Sequence, residues 1–130
     1  MSVTGIWLHE CGYLGASPDA FVVNEDAIVE LKCPWSMRND DLYVVLQENK
    51  EYFISKINEG WEINVNHPYF HQIQGQLHLC KKSVCYFVAW TTKSLVALIV
   101  PIVPDWISNI LLLQKFYVEH FVPYVLRRNE

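Results

Sequence analysis

Asp19, Glu30 and Lys32 stand in the stretch "SPDAFVVNEDAIVELKCP", where two acids and a base are set into apolar, β-branched runs. Strands bury their inward side chains, so charges within such runs need a reason. The runs "DAFVV" and "AIVELKC" are separated by a polar "NED" loop, short enough for an antiparallel hairpin that would bring Asp19 and Glu30 onto neighbouring strands. Lys32 lies two residues beyond Glu30 and therefore on the same face of its strand. All three could converge on one site. Two carboxylates are hard oxygen donors suited to Mg²⁺ or Mn²⁺, and such a cation would bring a phosphate to an otherwise acidic protein. Hydrolysis of a phosphodiester needs a nucleophilic water near neutral pH, in-line attack and cancellation of the developing charge, much of which two carboxylates and a metal supply. A lysine ammonium can orient the water, stabilise the pentavalent phosphorane, or act as base. The plain alternative is a same-face ion pair between Glu30 and Lys32 on an exposed edge, worth about 0 to 1 kcal/mol.

Several elements must position these residues. "GIWLHECGYLGA" alternates around a Cys-Gly turn and reads as a hairpin or a bulged strand. From Asp40 to Ile57, the residues Leu42, Val45, Leu46, Tyr52, Phe53 and Ile57 fit helical spacing, predicting one or two helices that end before Gly60, with Asn39 or Asp40 as cap. "WEINV" reads as a short strand, and "NHPYF" as a helix entry, since proline suits a first turn where its missing N–H has no partner to lose. The helix continues through "YFHQIQGQLHL", with Gln72 and Gln76 near one stripe and Gln74 pointing elsewhere. "VCYFVAWTT" and "LVALIVPIV" are strands joined by a polar turn; they read as more buried than alternating and should pair within one central sheet. After Pro104 the chain reads as an amphipathic helix that Pro123 kinks or restarts. The order of elements predicts an α/β or α+β core.

Composition narrows the function. With 130 residues, 52% hydrophobic and 18% charged, the chain can bury a real core and does not read as disordered. A net charge of −4 requires any anionic partner to be held by a local patch or a metal ion. Cys11, Cys33, Cys80 and Cys85 form no CxxC pair, and the start resembles no signal segment, so reduced thiols in an intracellular setting (cytoplasm or nucleus) are expected rather than secretion. The looser Cys80–Cys85 spacing near His78 is not read as zinc. The longest apolar stretch, Ser94 to Ile110, is broken by Pro101, Pro104 and Asp105, so no membrane span is expected. His67, His71 and His78 read as packing or surface residues.

The stretches "GASPDAFV", "AIVELKCPWS", "HPYFHQIQGQLHL" and "CYFVAWTT", in this order and spacing, resemble the YqaJ-like viral recombinase group, relatives of bacteriophage lambda exonuclease within the PD-(D/E)xK nuclease superfamily. The likeness spans nearly the whole chain. It implies a restriction-endonuclease-like core, a central mixed β-sheet flanked by helices, with residues 1–130 as one domain. It also implies that Asp19, Glu30 and the backbone carbonyl of Leu31 hold Mg²⁺ (or Mn²⁺), that Lys32 is the catalytic lysine, and that Gln72 points toward this lysine and the attacking water. Ser17, Trp35, Ser36, Arg38 and Gln76 are the candidate DNA contacts; an aromatic and a base just past the site suit stacking and phosphate binding.

Two features depart from the resemblance. Such nucleases carry an N-terminal helical region with a further acidic residue, which is expected to be missing here, and Ala20 stands where glycine usually follows "PD". If the glycine took φ > 0, alanine would cost on the order of 1 kcal/mol. The function implied is a Mg²⁺-dependent deoxyribonuclease, a 5′-to-3′ exonuclease on double-stranded DNA ends in recombination or repair, with a homotrimer as the implied assembly. The alternatives are a nuclease-derived module that binds DNA or protein without cutting, and the same fold acting on RNA.

Overall fold

The computed structural model describes residues 1–2, 4–49 and 52–128. Its centre is a four-stranded mixed sheet in the order β3 (Ala20–Phe21), β4 (Ala27–Lys32), β7 (Val84–Trp90), β8 (Leu95–Pro101). β3 and β4 run antiparallel, β4 and β7 parallel, and β7 and β8 antiparallel. Being internal, β4 buries Ala27, Ile28, Val29 and Glu30 in succession, as "AIVE" suggests for a strand covered on both faces. β7 and β8 instead alternate between buried and more exposed residues, contrary to the expectation of uniform burial. Cys85, Phe87 and Ala89 point into the core, while the other face of this hairpin stays partly open.

The parallel step from β4 to β7 requires a crossover, and the intervening chain supplies it with α1 (Leu42–Glu48), β5 (Ile54–Ile57), β6 (Gly60–Ile63) and α2 (Pro68–Cys80). Asp41, one residue later than the second expected cap, accepts from Tyr43 N at 2.9 Å and starts α1. The expected helix through Ile57 is overturned, because α1 ends at Glu48 and Ile54–Ile57 is a strand paired with Gly60–Ile63. Residues 50 and 51 of that expectation lie outside the described residues. "ISKINEGWEI" has β-branched residues on either side of a tight turn in which Asn58 takes φ 30°, and Ile54 and Ile63 face each other in the core. The "WEINV" strand and the "NHP" helix entry are present as expected.

α2 lies on the sheet through Phe70, Ile73 and Leu77, which pack with Ile28, Phe87 and Leu42 in one buried cluster. Each such side chain contributes about 1.5–3 kcal/mol by leaving water. The N-terminal hairpin pairs β1 (Trp7–Leu8) with β2 (Gly15–Ala16) beside α2. After β8, a 3₁₀ turn at Pro104–Ile107 leads into α3 (Ser108–Phe116), a π turn at Tyr117–Phe121, and α4 (Val122–Arg127). Pro123 lacks an N–H and its ring crowds the carbonyl of Glu119, so the backbone widens into a π turn rather than breaking. Among the described residues of this segment Trp106 and Ile110 are the buried ones; Leu111, Leu112, Phe116 and Leu126 are well exposed. Among the described residues no helix is long and apolar enough to cross a membrane.

Candidate active site

Strand β4 carries the site because its two last inward positions are charged. Glu30 and Lys32, two residues apart, project from the same face, and Lys32 Nζ lies 2.5 Å from Glu30 Oε1. Glu30 is only 3% exposed, so its charge is removed from water and must be met by donors. α2 supplies two of them. Gln72 Nε2 donates to Glu30 Oε1 at 2.8 Å, and Gln76 Nε2, one turn later, donates to Oε2 at 2.9 Å. Lys32 is further held by the face of the Tyr69 ring, 5.0 Å from its centroid.

Asp19 enters from the neighbouring strand. β3 pairs with β4 only at Ala20–Val29 and Phe21–Ile28, and before it Asp19 N donates to Val29 O at 3.1 Å. Beyond that point the Asp19 side chain takes over the role of a strand, since its Oδ2 accepts from Leu31 N at 2.7 Å. In an extended strand the N–H and C=O of one residue leave on the same side, so the Leu31 carbonyl also faces the Asp19 edge. Ala20 has no part in a left-handed conformation: among the described residues the non-glycine positions with positive φ are Asn24, Asn58 and Lys81. The penalty considered for an alanine after "PD" therefore does not arise.

A buried thiol lies beside these charges. Cys85, on β7 opposite Ile28, is pushed up to about 12 first by burial and then by the charge of Glu30, with Asp19 adding to the effect and Lys32 opposing it. Asp19, Glu30 and Leu31 offer oxygen donors only: two carboxylates and a backbone carbonyl. Among the described residues there is no group of three or more histidine, cysteine, aspartate or glutamate side chains that could hold a metal. A set of this size fits Mg²⁺, which keeps several waters and takes one or two protein carboxylates together with substrate phosphate.

The remaining candidates divide. Pro34 ends β4, and the 3₁₀ turn Trp35–Met37 is anchored by buried Met37. Trp35 is 76% exposed, with the Arg38 guanidinium 3.7 Å from its ring centroid and Arg38 Nη1 donating to Trp35 O at 2.6 Å. This pair presents an aromatic face and a cation just past Lys32, with Ser36 exposed between them. Ser17 is exposed and lines an apolar groove of about 800 Å³, beside Gln72, Gln76 and Trp106. Gln76, a candidate DNA contact by sequence, is 5% exposed and has its amide nitrogen committed to Glu30, so it faces the carboxylate rather than a solvent-borne ligand.

Gln74 does point elsewhere: fully buried, it donates to Pro101 O at 2.9 Å and accepts from Val103 N at 2.8 Å, clamping the end of β8. The histidines have packing tasks. His71 Nδ1 accepts from Trp106 Nε1 at 3.0 Å, and His78 stacks on the same indole. His67 caps α2, its Nδ1 accepting from Tyr69 N at 3.1 Å. Sequence reasoning misses both that cap and the Tyr69 contact with Lys32. The "HP" dipeptide before the helix is the available signal for the first, since the residue before an N1 proline is the cap.

No protein-family model matches the chain, and no curated protein does either. The fold is shared with exonucleases. The alkaline exonuclease LHK-Exo from Laribacter hongkongensis aligns with a TM-score of 0.65 at 18% identity, over 98% of this chain and 61% of that one. LHK-Exo in complex with dAMP aligns with a TM-score of 0.64, at the same identity and coverage. The chain therefore spans about three-fifths of the length of these structures. What is shared at this identity is the fold, a mixed sheet with flanking helices, as the sequence resemblance implies.

Proposed function

We propose that the protein is a metal-dependent deoxyribonuclease that hydrolyses phosphodiester bonds, acting as a 5′-to-3′ exonuclease on double-stranded DNA ends. The observation that carries this reading is the buried Glu30 carboxylate, held by Lys32 and Gln72, beside Asp19 fastened to the backbone of Leu31. The exonuclease fold supports it. In this reading Asp19, Glu30 and the Leu31 carbonyl hold Mg²⁺, with Mn²⁺ as a substitute. When bound, the cation supplies a nucleophilic water near neutral pH and neutralises charge on the phosphate. Lys32 supplies the ammonium that would orient the water and stabilise the charge that develops. Gln72 steadies Glu30 Oε1. Trp35 and Arg38 offer stacking and phosphate contacts to the substrate strand.

The test mixes the purified chain, Mg²⁺ and end-labelled duplex DNA. Nucleotides should be released, and Lys32→Ala should lower the rate by a factor of about 10² or more. No release, or release unchanged by Lys32→Ala, refutes the reading. One observation favours a second: the apolar groove and the exposed apolar residues of α3 and α4 suit a module that binds protein without cutting. Calorimetric titration with Mg²⁺ or Mn²⁺ separates the two, because only the nuclease reading requires the cation.

A further inference from the structure

We propose that Gln76 is a positioning residue for Glu30, fixing the direction in which its carboxylate meets a divalent cation; this rests on the metal-dependent reading above. Gln72 and Gln76, one turn apart on α2, reach opposite oxygens of a single carboxylate. A carboxylate offers about four acceptor sites, two on each oxygen. Oε1 receives both Lys32 and Gln72, whereas Oε2 receives Gln76. The acceptor site left for a cation is therefore on Oε2, and the plane of the carboxylate is set by the donor that shares that atom.

Gln76 does not sit there for packing. It is 5% exposed, and its own Oε1 is buried without a hydrogen-bond partner among the described residues, a costly state for an acceptor. Leucine or methionine would fill the same space without the orphaned amide oxygen, but would leave Glu30 Oε2 with no donor. Gln74, equally buried two residues earlier, shows the contrast: both ends of its amide are bonded to backbone, so it is a clamp. Of the two buried glutamines, one closes the fold and the other holds a carboxylate. Groups that orient a metal ligand from behind commonly change metal affinity by about 10–100-fold when removed.

The test compares Mn²⁺ affinity of the wild type, Asp19→Asn and Gln76→Met, read on folded protein from the electron paramagnetic resonance signal of free Mn²⁺. Q76M should bind at least about tenfold more weakly, and its melting temperature should fall as well, because Glu30 Oε2 loses its donor while only the orphaned acceptor of Gln76 itself is removed. On duplex DNA, its apparent KM for Mn²⁺ should rise at least about tenfold with kcat at saturating Mn²⁺ within about threefold. If Q76M does not fold, Gln76→Asn, whose amide is too short to reach Oε2, carries the same expectation. A Q76M affinity less than about tenfold weaker overturns the proposal alone, whatever the change in stability. Absence of Mn²⁺ binding in the wild type, or binding untouched by Asp19→Asn, overturns the reading of the site and this proposal together.

Discussion

Lys32→Met should destabilise the protein although Lys32 is proposed as catalytic machinery. The pair is close, 2.5 Å, and unevenly buried, with the Lys32 side chain 20% exposed and that of Glu30 4% exposed. Removing one partner of a buried pair costs about 3–5 kcal/mol, mostly because the other charge is left unpaired. Here Gln72 and Gln76 still donate to the carboxylate, and the partial exposure of Lys32 weakens the attraction, which together lower the expected cost to about 2–3 kcal/mol. Urea unfolding in EDTA, followed by tryptophan fluorescence, should show the midpoint falling by about 1–2 M. Glu30→Gln then supplies the second arm of a cycle. The neutral amide it introduces can keep its oxygen toward Gln72 and turn its NH₂ toward Gln76, whose amide then flips so that its Oε1 becomes the acceptor. The double variant should therefore recover at least about 1 kcal/mol relative to Lys32→Met. A single variant within about 0.5 kcal/mol of wild type, or a double variant no more stable than Lys32→Met, refutes the claim that Lys32 compensates a buried charge.

Three other outcomes are expected. Burial lowers the pKa of His67 from 6.5, and its Nδ1 must stay unprotonated to cap α2, so the unfolded chain takes up protons more readily. This contribution is complete above the ordinary histidine value and fades as pH falls below it, up to about 1 kcal/mol, the worth of a cap; melting curves of wild type minus His67→Asn between about pH 7.5 and 5 should show the difference, and parallel curves would contradict it. With a thiol-specific disulfide reagent at about pH 7.5, Cys85, buried and pushed up to about 12, should react only on unfolding. Cys11 should react at once: the desolvation that would raise its thiol is outweighed by hydrogen bonds from the Tyr13 backbone, Gln114 and His9, which bring it to about 7, and Cys11→Ser should remove that part of the fast phase. Gln74→Leu should cost about 1–2 kcal/mol by thermal melting, from two lost backbone bonds whose partners, on exposed residues, regain water; a change under about 0.5 kcal/mol would mean the clamp holds nothing.

Side chains two apart on a strand share a face whatever the surroundings, which is enough to set Glu30 and Lys32 of "AIVELKC" together, and the short "NED" loop brings the strand that follows Asp19 alongside. Helical spacing likewise puts Gln72 and Gln76 on one stripe of α2 and Gln74 off it. The helix expected through Ile57 fails for the opposite reason. Tyr52, Phe53, Ile54 and Ile57 fit either period over so short a run, and pairing with Gly60–Ile63, which buries Ile54 against Ile63, decides for strand. The burial of Glu30 is likewise invisible in sequence. It exists because α2, which begins at Pro68, far along the chain from Glu30, crosses over the strand and closes it from water. Donors from Lys32, Gln72 and Gln76 then meet the two oxygens, and a carboxylate of ordinary strand position becomes the floor of a site. Spacing along the chain determines which residues share a face; which face is covered, and by what, is decided only when distant elements compete to bury theirs.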